Sequence, residues 1–171
     1  MSQETQTNEA AGLLPASLTN ELIELCTHYP ERRAALIPAL HRCQEELGGW
    51  LSPETMEAMA TFFDLEPVEV FGVASFYPMF RLKPRGKHLV SVCHNISCDL
   101  RGADDILEEA CKVTGCTPGG TSEDGQFSVV RVECQGACAS APMFDLDGVY
   151  HERIAPEDVR RILSDAQRGT K

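Results

Sequence analysis

The sequence predicts an α+β chain. A helical bundle domain over residues 17–80 is followed by an α/β domain over residues 88–171 with the element order β-α-β-β-β-α. Three observations carry that prediction. As far as Phe80, apolar residues recur at helical spacing and the segments stop at proline or glycine. Beyond His88, two β-branched runs, Leu89-Val-Ser-Val92 and Val129-Val-Arg-Val-Glu133, flank a helical stretch. A hairpin pattern and a closing helix complete the chain.

Residues 1–16 are mostly polar or small, without Lys or Arg and without periodicity, and read as a disordered tail. From Ser17, Leu18, Leu22 and Leu25 mark one helical face that stops at Pro30. A second helix is expected over residues 31–47, ending at Gly48-Gly49, with Pro38 predicting a kink or break because it lacks an N–H donor. Ser52-Pro53-Glu54 supplies an N-cap and a first-turn proline for a helix to about Phe63. Asp64-Leu-Glu-Pro67 opens a further helix that runs into Gly72-Val-Ala-Ser-Phe-Tyr-Pro-Met-Phe80. The aromatic residues of that stretch are expected to anchor the helical unit on the second domain. Arg81-Leu-Lys-Pro-Arg-Gly-Lys87 reads as a solvated basic linker.

In the second half, residues 88–93 are a strand and residues 100–114 a helix, with Asp104 and Asp105 suited to its dipole. A Gly/Pro/Thr-rich loop covers 117–126, and a second strand covers 127–133. Met143 to His151 is a hairpin turning at Asp147-Gly148, and residues 156–163 form a helix with Val159, Ile162 and Leu163 inward. A right-handed crossover makes the first two strands parallel neighbours. This order is the outline of a thioredoxin-like domain.

Charge narrows the function. Lys plus Arg number 15 against 26 Asp plus Glu, a net charge of -11, which disfavours nucleic acid and anionic lipid as partners. The apolar stretch Ala34-Ala-Leu-Ile-Pro-Ala-Leu40 is far short of the roughly 20 residues of a membrane span. The first residues lack the basic start and apolar core of a secretory signal, so a cytoplasmic protein is expected.

In that setting the 8 cysteines suggest metal ligation or burial rather than disulfides. Cys26 and Cys43 follow the helical leucines and read as small buried hydrophobes, and Cys111 and Cys116 as packing residues. The other four form two pairs, Cys93-His-Asn-Ile-Ser-Cys98 and Cys134-Gln-Gly-Ala-Cys138, each beginning where a β-branched run stops. If the two runs are neighbouring parallel strands, four thiolates converge at one sheet edge. Such a set holds a [2Fe–2S] cluster or a structural zinc ion, and spacing leaves both open. A thiol–disulfide enzyme would want Cys-X-X-Cys, which is absent from the sequence. The histidines at 28, 41, 88, 94 and 151 lack metal-ligand spacing, and no phosphate-cradling glycine loop is present. An electron relay relying on another subunit for substrate fits these features.

Ala35-Leu-Ile-Pro-Ala-Leu40, Gln44, Gly48-Gly-Trp-Leu-Ser52, Gly72 to Phe80, Cys93, Cys98-Asp-Leu-Arg-Gly-Ala103 and Cys134 to Cys138 with Ala141-Pro142 together resemble one family. It is the E-subunit family of bacterial NADH-quinone oxidoreductase (respiratory complex I), thioredoxin-like [2Fe–2S] ferredoxins, and the likeness spans about residues 18–163. The resemblance implies one [2Fe–2S] cluster on Cys93, Cys98, Cys134 and Cys138 and an electron-transfer role, without catalysis by the chain alone. It further implies FMN and NADH on a partner subunit that the helical domain helps to dock, with further complex I subunits beyond it. The complex would lie peripherally on the cytoplasmic side of the inner membrane, without this chain inserting in it. Homologous subunits also serve NAD-linked hydrogenases and formate dehydrogenases. A structural zinc-binding interaction module is the alternative of another class. Gln135 stands where relatives often carry leucine.

Overall fold

The computed structural model describes residues 14–169, and the chain divides after Pro84 into two compact units. The first is all helical. It comprises α1 (Ala16–Thr27), a 3₁₀ turn (Arg32–Ala35), α2 (Leu36–Glu46), α3 (Pro53–Phe63) and α4 (Pro67–Phe76). Leu18, Leu22, Leu40, Leu51, Met59 and Val70 form its buried centre. Burial of these side chains, at about 1.5–3 kcal/mol each, does most to hold the helices together.

Three expectations for this unit change. The tail assigned to residues 1–16 is too long by its last residues, because Leu14 is buried in the helical core and α1 already begins at Ala16; residues 1–13 lie outside the described part. Nor does the helix expected over 31–47 break at Pro38. It opens as a 3₁₀ turn and becomes α-helical at Leu36, which puts Pro38 in the first turn, where a missing N–H costs nothing. Within the Gly72–Phe80 stretch, Tyr77 and Phe80 pack on the helical unit's own core. Finally, Arg81 is not free linker: its N–H donates to Gln44 Oε1 at 2.7 Å and its carbonyl accepts the Leu51 N–H at 2.7 Å.

Caps follow the sequence closely. Ser52 Oγ accepts the Thr55 N–H at 3.1 Å to start α3. The Glu69 carboxylate reaches back to the Glu66 N–H at 3.1 Å to start α4.

The second unit contains β1 (His88–Cys93), a single helical turn α5 (Ile96–Asp99), α6 (Ala103–Thr114), β2 (Phe127–Val132), a 3₁₀ turn (Cys138–Ser140), β3 (Met143–Leu146), β4 (Val149–Glu152) and α7 (Pro156–Gln167). The strands form one sheet in the order β2-β1-β3-β4. β1 runs parallel to β2 with Cys93 opposite Val132, and antiparallel to β3. Asp147 (φ 52°) and Gly148 (φ 88°) make the tight β3–β4 turn, both in the left-handed region. Val90, Ile106, Val129, Phe144, Val159 and Leu163 fill the core beneath α6 and α7.

Two boundaries move here. The helix expected from Leu100 begins at Ala103, because Gly102 adopts φ 88° and separates it from α5. Arg85-Gly86-Lys87 belong to this unit rather than to a linker. The Gly86 N–H donates to Ser128 Oγ at 2.8 Å, and a Cβ there would lie 2.6 Å from the Phe127 carbonyl carbon, so only glycine fits.

Candidate metal centre

β1 is an interior strand, flanked by β2 and β3, and it ends at Cys93. The chain then turns through Asn95, whose side chain accepts the Ile96 N–H at 2.9 Å, into α5, which carries Cys98. Cys93 and Cys98 are 4 % and 2 % exposed and pack with Ala103, Ala141 and Met143 in a small cluster of their own. The parallel strand β2 ends opposite, at Val132, where the His94 N–H donates to the Val132 carbonyl as a last rung at 3.2 Å. Two residues later comes Cys134, and Cys138 opens the following 3₁₀ turn; both are exposed.

The thiol of Cys98 is pushed up to about 11. Burial is the largest cause; the neighbouring Cys93 thiol adds to it and the negative charge of Cys138 adds less, while the Met143 backbone pulls the other way. Cys134 stands at the head of the second loop, with its Sγ accepting the Gly136 N–H at 3.3 Å. Gly136 has φ 77°, which makes this tight turn possible. Among the described residues no three His, Cys, Asp or Glu side chains stand in the compact arrangement of a single-ion site.

The donor set fits an iron–sulfur centre. All four groups are soft sulfur donors on two strand-end loops, two per loop, and thiolates crowded together are relieved by cationic iron. The neighbouring His94 and Glu133 have partners of their own. His94 Nδ1 is 2.8 Å from the Val132 carbonyl, and its Nε2 lies 3.8 Å from the Glu133 carboxylate. Of the remaining cysteines, Cys43 is fully buried beside Met59, its thiol pushed up to about 12 by burial. Cys116 is buried with its Sγ donating to the Phe127 carbonyl, and Cys111 packs on the same core.

Sequence reasoning missed one set of contacts. Gln135 Nε2 donates to the Ser91 carbonyl, and the Tyr150 hydroxyl donates to the Gln135 carbonyl. The one signal for it was a polar residue placed directly between two cysteines.

A family model described as thioredoxin-like [2Fe–2S] ferredoxin matches residues 22–167. The chain belongs to that family. Among curated proteins, it is 38 % identical over 153 residues to NADH-quinone oxidoreductase subunit 2 of Thermus thermophilus, covering 88 % of this chain and 84 % of that one. It is 35 % identical over 148 residues to the E subunit of NADH-quinone oxidoreductase of Rickettsia bellii, covering 86 % and 87 %. In three dimensions it resembles a crystal structure of an NAD+-reducing [NiFe]-hydrogenase in the air-oxidized state with a TM-score of 0.68. That match is 21 % identical and spans 80 % of this chain but 23 % of that one. The hydrogenase likeness shows the fold.

Proposed function

We propose that Cys93, Cys98, Cys134 and Cys138 together hold one [2Fe–2S] cluster, and that the chain is the electron-transfer subunit of an NADH-quinone oxidoreductase. The observation that carries the reading is the pairing of two cysteine loops at the ends of adjacent parallel strands, in a chain of this family. The bound cluster supplies one-electron exchange, here with the FMN of a partner NADH-binding subunit. The chain's own part is to present four thiolates, to bury the first pair, and to aim the Gly136 N–H at the Cys134 sulfur.

The exposed stripe of α4 (Val68, Phe71 and Phe76, continued by Met79) supports a protein partner on the helical unit. Among the described residues no helix is long and apolar enough to cross a membrane. The chain's place in this reading is peripheral, on the cytoplasmic side of the membrane, held by other subunits.

Iron, acid-labile sulfide and zinc analysis of the purified protein tests the site. Two irons and two sulfides per chain are expected. One equivalent of zinc without sulfide would replace this reading with a structural module. Affinity purification from the native membrane is expected to bring down a flavoprotein together with membrane-arm subunits; a hydrogenase or formate dehydrogenase subunit instead would move the chain to that class of complex.

A further inference from the structure

The β1–β2 ladder stops at Cys93 and Val132, so no strand pairing fixes the chain between Cys134 and Cys138. Gln135, in the middle of that gap, makes two ties. Its side-chain Nε2 donates to the Ser91 carbonyl at 3.1 Å, two residues before Cys93 on β1. Its backbone carbonyl accepts the Tyr150 hydroxyl at 3.1 Å from β4. The second cysteine loop is therefore fastened on one side to the strand that delivers the first pair, and on the other to the β3–β4 hairpin.

The remaining polar atom of the side chain, Gln135 Oε1, is buried with no hydrogen-bond partner among the described residues. An acceptor left in that state opposes folding, and an apolar side chain of similar length would avoid the penalty. Packing thus gives no reason for glutamine here. The bond to β1 gives one. Tyr150 is likewise half exposed on a short edge strand, where its hydroxyl needs no protein partner to be satisfied by water.

We propose that Gln135 and Tyr150 are positioning residues that brace the Cys134–Cys138 loop against β1 and β4, and so set where the second pair of sulfurs stands relative to the first. The role rests on the ligand assignment made under the proposed function. Groups that orient metal ligands act on affinity and on spectroscopic signature without touching the metal.

Tyr150→Phe deletes one tie and Gln135→Met deletes the other, together with the orphaned oxygen. Three readouts are taken on the full-length chain: iron release to a chelator, the electron paramagnetic resonance g-values of the dithionite-reduced protein, and hydrogen exchange of residues 134–138 without iron. Release is expected to quicken about fivefold for Tyr150→Phe and about tenfold for Gln135→Met. The g-values should shift, and faster exchange should be confined to the loop. Thermal stability of Gln135→Met should stay level or rise, since a buried unpaired acceptor is gone. Release, g-values and exchange all matching wild type would overturn the brace, as would a lower melting temperature with the other readouts unmoved. A wild-type chain that takes up no iron and sulfide ends the cluster reading, and the exchange rates then decide the brace by themselves.

Discussion

Cys93 and Cys98 are almost wholly buried, whereas Cys134 and Cys138 are open to solvent, although both pairs leave parallel neighbouring strands at the same level of the sheet. The difference lies in the strands. β1 is interior, with β2 on one side and β3 on the other, and α5 folds the first loop inward so that Cys98 meets Ala103, Ala141 and Met143. β2 is an edge strand, and the loop beyond it turns through Gly136 with few hydrogen bonds to hold it. One half of the proposed ligand set is thus preorganised by the core and the other by individual contacts. The weaker half of such a site is the one on the edge.

Serine replacement probes that asymmetry with the largest effect. Cys98→Ser and Cys138→Ser should each lose the visible absorption and most of the iron and sulfide, because a hydroxyl is a poor match for iron–sulfur iron. In iron-free protein the two should part company. Cys98→Ser places a hydroxyl in an apolar, buried position and is expected to cost about 1–2 kcal/mol in urea unfolding. Cys138→Ser, at an exposed position, should fall within about 0.5 kcal/mol of wild type. Equal losses would mean that burial does not distinguish the pairs. Cys111→Ala is the control: it should keep its colour and lose a little packing.

How much of this was legible in the sequence depends on what each feature rests on. The strands around Cys93 and Val132 and the Asp147-Gly148 turn were readable because local β-branched runs and turn chemistry determine them. The placement of both cysteine loops at one sheet edge followed from the handedness of a single crossover. Burial of Leu14 and the incorporation of Gly86 were not readable, since each depends on a tertiary neighbour: the helical core for one, the Phe127 backbone for the other. The left-handed Gly102 splits a stretch that helical periodicity alone joins. Tyr150 looked like any alternating strand residue; its tie to Gln135 spans a separation of 15 residues and depends on the hairpin's register.

Thiol alkylation of the iron-free chain sharpens the comparison further. Cys134 and Cys138 should label first, as exposed thiols. Cys98, raised to about 11, carries on the order of a hundredfold less thiolate at neutral pH than an ordinary thiol. Its labelling should therefore climb steeply as pH rises towards that value, about tenfold per pH unit. Cys43, pushed up to about 12 inside the helical core, should label only when that unit unfolds. Mass spectrometry of the labelled peptides gives all four rates at once. If Cys98 labels as fast as Cys138, the first pair is not held closed.

The smallest effect reaches the second loop from behind. The Arg153 N–H donates to the Ser140 carbonyl and the Ile154 N–H to that of Pro142, so the segment leading into α7 holds the 3₁₀ turn that starts at Cys138. That segment is pinned in turn by Asp158, whose carboxylate accepts the Ala155 N–H at 3.1 Å. The same hydrogen bond, with help from Arg161, holds the Asp158 carboxyl below its ordinary value. A group with a depressed folded-state value stabilises the fold above its unfolded-state value, and the benefit fades as pH falls through the folded-state value. Acid should therefore loosen residues 138–142 before it loosens residues 93–98. Asp158→Asn keeps a cap acceptor but cannot titrate, so its exchange rates at residues 138–142 should lose that acid dependence. Asp158→Ala should show the faster exchange already at neutral pH. The first pair, held by β1 and the core rather than by this cap, should respond to neither substitution. A matching response there would show that the two halves of the site open together and that the edge loop is not the separately held part.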